Sequence, residues 1–235
     1  MRRPMPSPVE DHPRPTLLSD FILGSQDGLV NVLGILLGLV AANTDARVIL
    51  IATLAAMAAE SISMGAVAYT STLSRRNLYL SEVQRELLEM RVVPEMEREE
   101  VRVILRKWGY EGAEVEEMLA RIEAKPKAML DIMMAFELNL AEVAPEQPRN
   151  SAMVVLSATI VGSVIPILPF FLYTGDLRLA ALISIVLSAL VLFAVGWYEA
   201  RITKGSTYQN ALRMIVIGLG AGFAGFLVGY LAHIL

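Results

Sequence analysis

Five stretches long enough to cross a bilayer constrain this chain more than any other feature. They run over 17–42, 48–69, 152–173, 177–198 and 211–235. A membrane span needs about 20 apolar residues at 1.5 Å of rise each, and each stretch meets that length. In hydrocarbon every backbone amide must find its partner within the segment, so these stretches must be helices. No strand pattern occurs, and the fold class expected is an all-α membrane protein with five transmembrane helices. The links 43–47 and 174–176 are too short for anything but antiparallel neighbours.

The charges are partitioned as sharply as the apolar residues. Residues 75–149 hold 16 of the 24 acids and 12 of the 20 bases, which leaves 8 of each for the other 160 residues. A water-exposed helical domain is therefore inserted between the second and third spans. The organisation expected is a disordered tail over 1–16, spans one and two over 17–73, the insert over 74–149 and spans three to five over 150–235. The tail has five prolines and lacks the apolar core of a signal peptide. Arg2, Arg3, Arg14, Arg75, Arg76, Arg149, Arg201, Lys204 and Arg213 fall on one side of the membrane and only Arg47 and Arg178 on the other. The positive-inside rule places the N-terminus and the insert in the cytoplasm. A net charge of -4 argues against nucleic acid as a partner. There is no cysteine and only two histidines, His12 and His233, which excludes thiolate and histidine-rich metal sites.

Within the insert, 74–91 carries helical periodicity and continues from span two without a breaker. Pro94 suits the first turn of a helix over 95–107, Gly109 and Gly112 bracket a turn, and 113–123 forms the next helix. Pro126 opens a fourth, expected to run to about Val143. Pro166 and Pro169 are expected to kink span three. The spacing of Gly218, Gly222, Gly225 and Gly229 allows close helix approach, more readily within the subunit than across a dimer seam.

Asp27 is stranded mid-span, where a carboxylate costs about 2.5–3.5 kcal/mol on insertion scales. It must face a bundle interior or a wet cavity, or hold a proton. Asn31 lies one turn on, on the same face. On span two, Met57, Glu60 and Met64 share a face; Ser61 and Ser63 offer Glu60 a structural network instead. Asp20, nearer the interface, reads as solvated. Carboxylate, amide and thioether together form a mixed hard and soft donor set for divalent metals.

In the insert, Glu86 and Glu89 project from one helix face, Glu97 and Glu100 repeat the spacing, and Met133 and Glu137 are four apart. If these helices pack together the carboxylates and a thioether converge, as in carboxylate-bridged metal bundles. Glutamates so spaced also occur on solvated faces paired with arginine, and Arg85, Arg91, Arg98 and Arg102 are available. Glu95, Glu99, Glu111, Glu114, Glu116, Glu117 and Glu123 are assigned to such faces. A membrane-anchored di-iron carboxylate enzyme is the rival reading. It needs the Glu-x-x-His motif, which is missing.

GSQDGLV in the first span, ESISMGAVAY in the second, glutamate spacings of three, eight and three, MMAFEL, IVGSVIPILPFF and the glycine-rich last span together resemble the vacuolar iron transporter family. The resemblance implies a homodimer exporting ferrous iron from the cytoplasm in exchange for protons, with no organic cofactor. Mn2+, Zn2+ and Co2+ are further candidate ions, and a manganese transporter of the same fold is the alternative. It places the path at the dimer interface, the pore aspartate on Asp27 and the pore methionine on Met64. It puts the cytoplasmic metal ligands on Glu86, Glu89, Glu97, Glu100, Glu137 and Met133. The home membrane it implies is a vacuolar membrane in a eukaryote or the inner membrane in a bacterium.

Overall fold

A computed structural model describes residues 15–172, 175–202 and 206–235. The tail with Arg2, Arg3, His12 and Arg14 lies outside the described residues, as does Lys204. The described residues form helices α1 (Pro15–Ala41), α2 (Ala46–Val92), α3 (Pro94–Lys107), α4 (Ala113–Glu123) and α5 (Pro126–Ile132). A π-helical turn (Met133–Glu137) follows, then α6 (Gln147–Leu172), α7 (Leu177–Ile202) and α8 (Thr207–Ile234). No strand occurs among them. Among the described residues five helices, α1, α2, α6, α7 and α8, are long and apolar enough to cross a membrane.

The chain divides into two compact units. One comprises the residues through Tyr69 together with Arg149–Leu235, and the other comprises Thr70–Pro148. In the first, Leu33, Leu36 and Leu37 of α1 pack with Ile49 of α2, Phe170 of α6 and Ala180 and Ala181 of α7. Large apolar residues such as Ile62, Leu190 and Val216 face outward instead. Outward apolar residues are costly in water but natural against lipid.

Glycine determines how closely these helices approach. A Cβ on Gly225 or Gly229 of α8 would strike the backbone of Gly34 or Gly38 of α1. Gly24 and Gly28 meet α6 at Val155 and Thr159 in the same way, and Gly162 of α6 meets the backbone of Ser25. The last span thus uses its glycines within the subunit. α6 continues as a helix through Pro166 and Pro169. Ser184 of α7 donates to the Pro166 carbonyl at 2.8 Å, tying the two helices at that point.

In the second unit, Val101 and Leu105 of α3, Val115 and Leu119 of α4, and Met129 and Met133 form the core. Pro94 and Pro126 each occupy a first helical turn, where the missing amide proton costs nothing. Gly109 and Gly112 adopt φ of 94° and 55° between α3 and α4, a backbone that side chains with a Cβ resist. The fourth helix departs from the expectation. It leaves α geometry at Met133 and ends at Glu137, with Asn139 at φ 52° turning the chain away.

Candidate metal-handling sites

The second unit gathers the glutamates. Glu86 and Glu89 come from α2, Glu97 and Glu100 from α3 and Glu137 from the π-helical turn. Glu86, Glu89 and Glu97 each bring a carboxylate oxygen within 4.8 Å of the others. Glu86 and Glu97 are 1% exposed, a burial that charged side chains avoid unless paired. One carboxylate oxygen of Glu97 and one of Glu137 are buried with no hydrogen-bond partner. Arg85 lies 3.0 Å from Glu82, 3.5 Å from Glu86 and 3.6 Å from Glu89. A single guanidinium is thus spread over several carboxylates.

The electrostatics record this crowding. Burial first, then the neighbouring charges of Glu100 and Glu86, pushes the Glu97 carboxyl up to about 7. Glu137 is also pushed up to about 7, by burial and then by Glu100 and Glu86. Glu100 is raised by burial and then by Glu89. Glu86, Glu97, Glu100 and Glu137 therefore share one field, and each of the four resists ionising while its neighbours are charged. A divalent cation relieves that repulsion.

The remaining acids of this unit behave differently. Arg102 holds Glu116 at 2.7 Å and also binds Glu99. Arg98 pairs with Glu95 at 3.3 Å and Glu123 at 3.4 Å, and Arg121 pairs with Glu117 at 2.5 Å. The carboxylates of these pairs are exposed to water, so they are ion pairs of the ordinary surface kind. Met133 is wholly buried and packs with Val101, Leu105 and Met129 at the start of the turn that ends in Glu137.

In the first unit, the Asn31 amide donates to Asp27 Oδ1 at 3.4 Å and to Glu60 Oε1. One carboxamide thus links a carboxylate of α1 to one of α2. No ion pair among the described residues engages Asp27 or Glu60. Met64 is half-buried four residues beyond Glu60 on α2. Asp20, read as solvated, is instead half-buried and accepts a hydrogen bond from Ser151 of α6. Its spacing of seven from Asp27, two turns along one helix face, was the signal available for it.

The sequence profile of the VIT family matches residues 18–230. Vacuolar iron transporter 2 of Oryza sativa is 35% identical over 89% of this chain and 85% of its own length. Vacuolar iron transporter 1 of Eucalyptus grandis is 32% identical over 89% and 84%. Protein CCC1 of Saccharomyces cerevisiae is more distant, at 24% identity over 91% and 69%.

Proposed function

The chain belongs to the VIT family, and on that premise we propose that it is a secondary transporter exporting ferrous iron from the cytoplasm in exchange for protons. The observation that carries the reading is the pair Asp27 and Glu60, joined through Asn31 in an apolar bundle with no cationic partner among the described residues. Two carboxylates so placed need a neutralising species, and a proton and a divalent metal are the two that compete for the same oxygens. Metal arrival displaces the proton, and proton return releases the metal. In a homodimer the pairs from two subunits flank a two-fold axis, so that one passing ion meets the carboxylates of both. Met64 supplies a soft donor that favours Fe2+ over Mg2+ and Ca2+.

The glutamates of Thr70–Pro148 act, in this reading, as a cytoplasmic metal-capturing domain. Their buried carboxylate oxygens without partners support it. So does the contrast with the acids held by Arg98, Arg102 and Arg121.

Proteoliposomes holding a pH-sensitive dye and an Fe2+ indicator test the proposal. Iron uptake should be accompanied by proton movement in the opposite direction. Asp27→Asn should abolish both while the protein still elutes as a folded species. Undiminished coupled flux in that variant would sink the pore reading. Mn2+ competing in the same assay decides between an iron and a manganese carrier.

A further inference from the structure

Glu137 reaches the glutamate cluster from an unusual piece of backbone. The residues before it, Met133–Glu137, form a π-helical turn. The Leu138 amide bonds the Met133 carbonyl at 3.1 Å, and the Leu140 amide bonds the Met134 carbonyl at 2.8 Å. Such turns are rare and tend to mark functional sites, because the extra residue swings everything after it around the helix axis. Met133 and Met134 are buried and anchor the start of the turn. Its end has no such anchor in the core, since Phe136 is 53% exposed.

What holds Phe136 is Trp108. Their rings meet edge to face at a centroid distance of 4.8 Å and an interplanar angle of 84°. Trp108 is itself 45% exposed, so the pairing is not explained by burial of either ring. It is fixed at the end of α3, where its amide bonds the carbonyls of Ile104 and Leu105 at 3.1 Å. The same helix carries Glu97 and Glu100 near its start. One rigid element thus presents two of the acids and grips the residue next to a third.

We infer that Trp108 and Phe136 form a clasp that fixes the π-helical turn and so positions Glu137 among Glu86, Glu89, Glu97 and Glu100. The inference rests on reading those glutamates as a metal site. Trp108 and Phe136 are positioning residues and touch no metal. The clasp acts on the turn alone, so its whole effect on binding passes through the Glu137 carboxylate.

The test uses the full chain in detergent, with Mn2+ as the probe and binding followed by calorimetry. Trp108→Ala should weaken binding about three- to tenfold, the range an aromatic edge-to-face pair supplies. Trp108→Phe, which keeps an aromatic edge, should bind nearly as the wild type does. In a Glu137→Gln background Trp108→Ala should weaken binding no further. Hydrogen exchange at the Leu138 and Leu140 amides should quicken in Trp108→Ala and not in Trp108→Phe. Should Trp108→Ala fail to fold, Phe136→Leu carries the same predictions. Equal loss in the presence and absence of the Glu137 carboxylate would overturn the clasp, because a merely structural tryptophan acts on every ligand. So would unchanged binding by Trp108→Ala beside a wild type that binds Mn2+. A wild type that binds no Mn2+ defeats the reading of the glutamates themselves, and the inference falls with it.

Discussion

At the scale of single residues, Glu97 shows most directly what a buried acid with one unsatisfied oxygen does. Its carboxyl is pushed up to about 7, as is that of Glu137, whereas in the unfolded chain both titrate near 4.5. A raised folded value means that the protonated form suits the fold. The stability involved is fully present below about 4.5 and is lost as pH rises through about 7. The metal-free protein should therefore melt progressively lower as pH climbs from 5 to 8, and Mn2+ should restore the loss at pH 8 far more than at pH 6. Metal affinity should fall as pH drops through about 7, because protons and metal compete for the same oxygens. Glu97→Gln removes the charge that the fold resists. At pH 8 it should raise the metal-free melting temperature by about 2–4 °C, the shift that roughly 1 kcal/mol makes in a chain of this size. It should also shrink the Mn2+-induced stabilisation. A lower melting temperature for Glu97→Gln at pH 8 would show that the carboxylate is satisfied by something other than a metal.

Among the elements, the α1–α8 contact makes the sharpest stability prediction. Gly229→Ala places a methyl group against the Gly38 backbone, and a main chain within a packed helix pair gives way poorly. The cost should be about 1–3 kcal/mol, read as a lower melting temperature in detergent. Gly220, on the same helix, has open space where its Cβ would stand. Gly220→Ala should be neutral or stabilise by about 0.4–1 kcal/mol through the unfolded chain. A loss at Gly220→Ala as large as that at Gly229→Ala would show that close approach to α1 does not set the effect. The glycine spacing of the last span was legible in the sequence as a close-packing face. Its partner was not, because Gly34 and Gly38 sit in an apolar run that gives no sign of which helix they meet. The run through 74–91 and the bounds of α4 were legible because periodicity, proline and glycine all agreed there. The fourth helix of the insert was misjudged in length because KAMLDIMMAFELNLAEV reads as regular helix throughout. Periodicity at 3.6 cannot reveal a π-helical turn, and Asn139 tolerates a left-handed backbone without announcing it. Met133 and Glu137 stand at the two ends of that turn; Met133 packs in the core, and the Glu137 carboxylate shares the field of Glu86 and Glu100.

For the molecule as a whole, the division of charge between 75–149 and the rest announced two kinds of environment, and two separate sets of acids follow from it. The sets make different demands, and kinetics can tell them apart. Under the proposed function, glutamates that capture metal would govern how much must be supplied before transport saturates. A carboxylate in the path would govern how fast a captured ion passes, whatever the supply. Changing Glu86, Glu89, Glu97 and Glu100 together to Gln removes charged ligands worth about 1.5–3 kcal/mol each in a hydrogen-bonded setting. The half-saturating Fe2+ concentration in proteoliposomes should then rise by at least about tenfold, while the maximal rate stays near that of the wild type. A change in the Michaelis constant alone is the mark of lost ground-state binding. Asp27→Asn should do the reverse, abolishing transport even at saturating Fe2+. Arg102→Ala, which breaks ion pairs to the exposed carboxylates of Glu99 and Glu116, should leave both parameters in place and so controls for general damage to the insert. If the quadruple variant instead lost maximal rate as Asp27→Asn does, the glutamates would belong to the passage step. Capture and passage would then be one process rather than two.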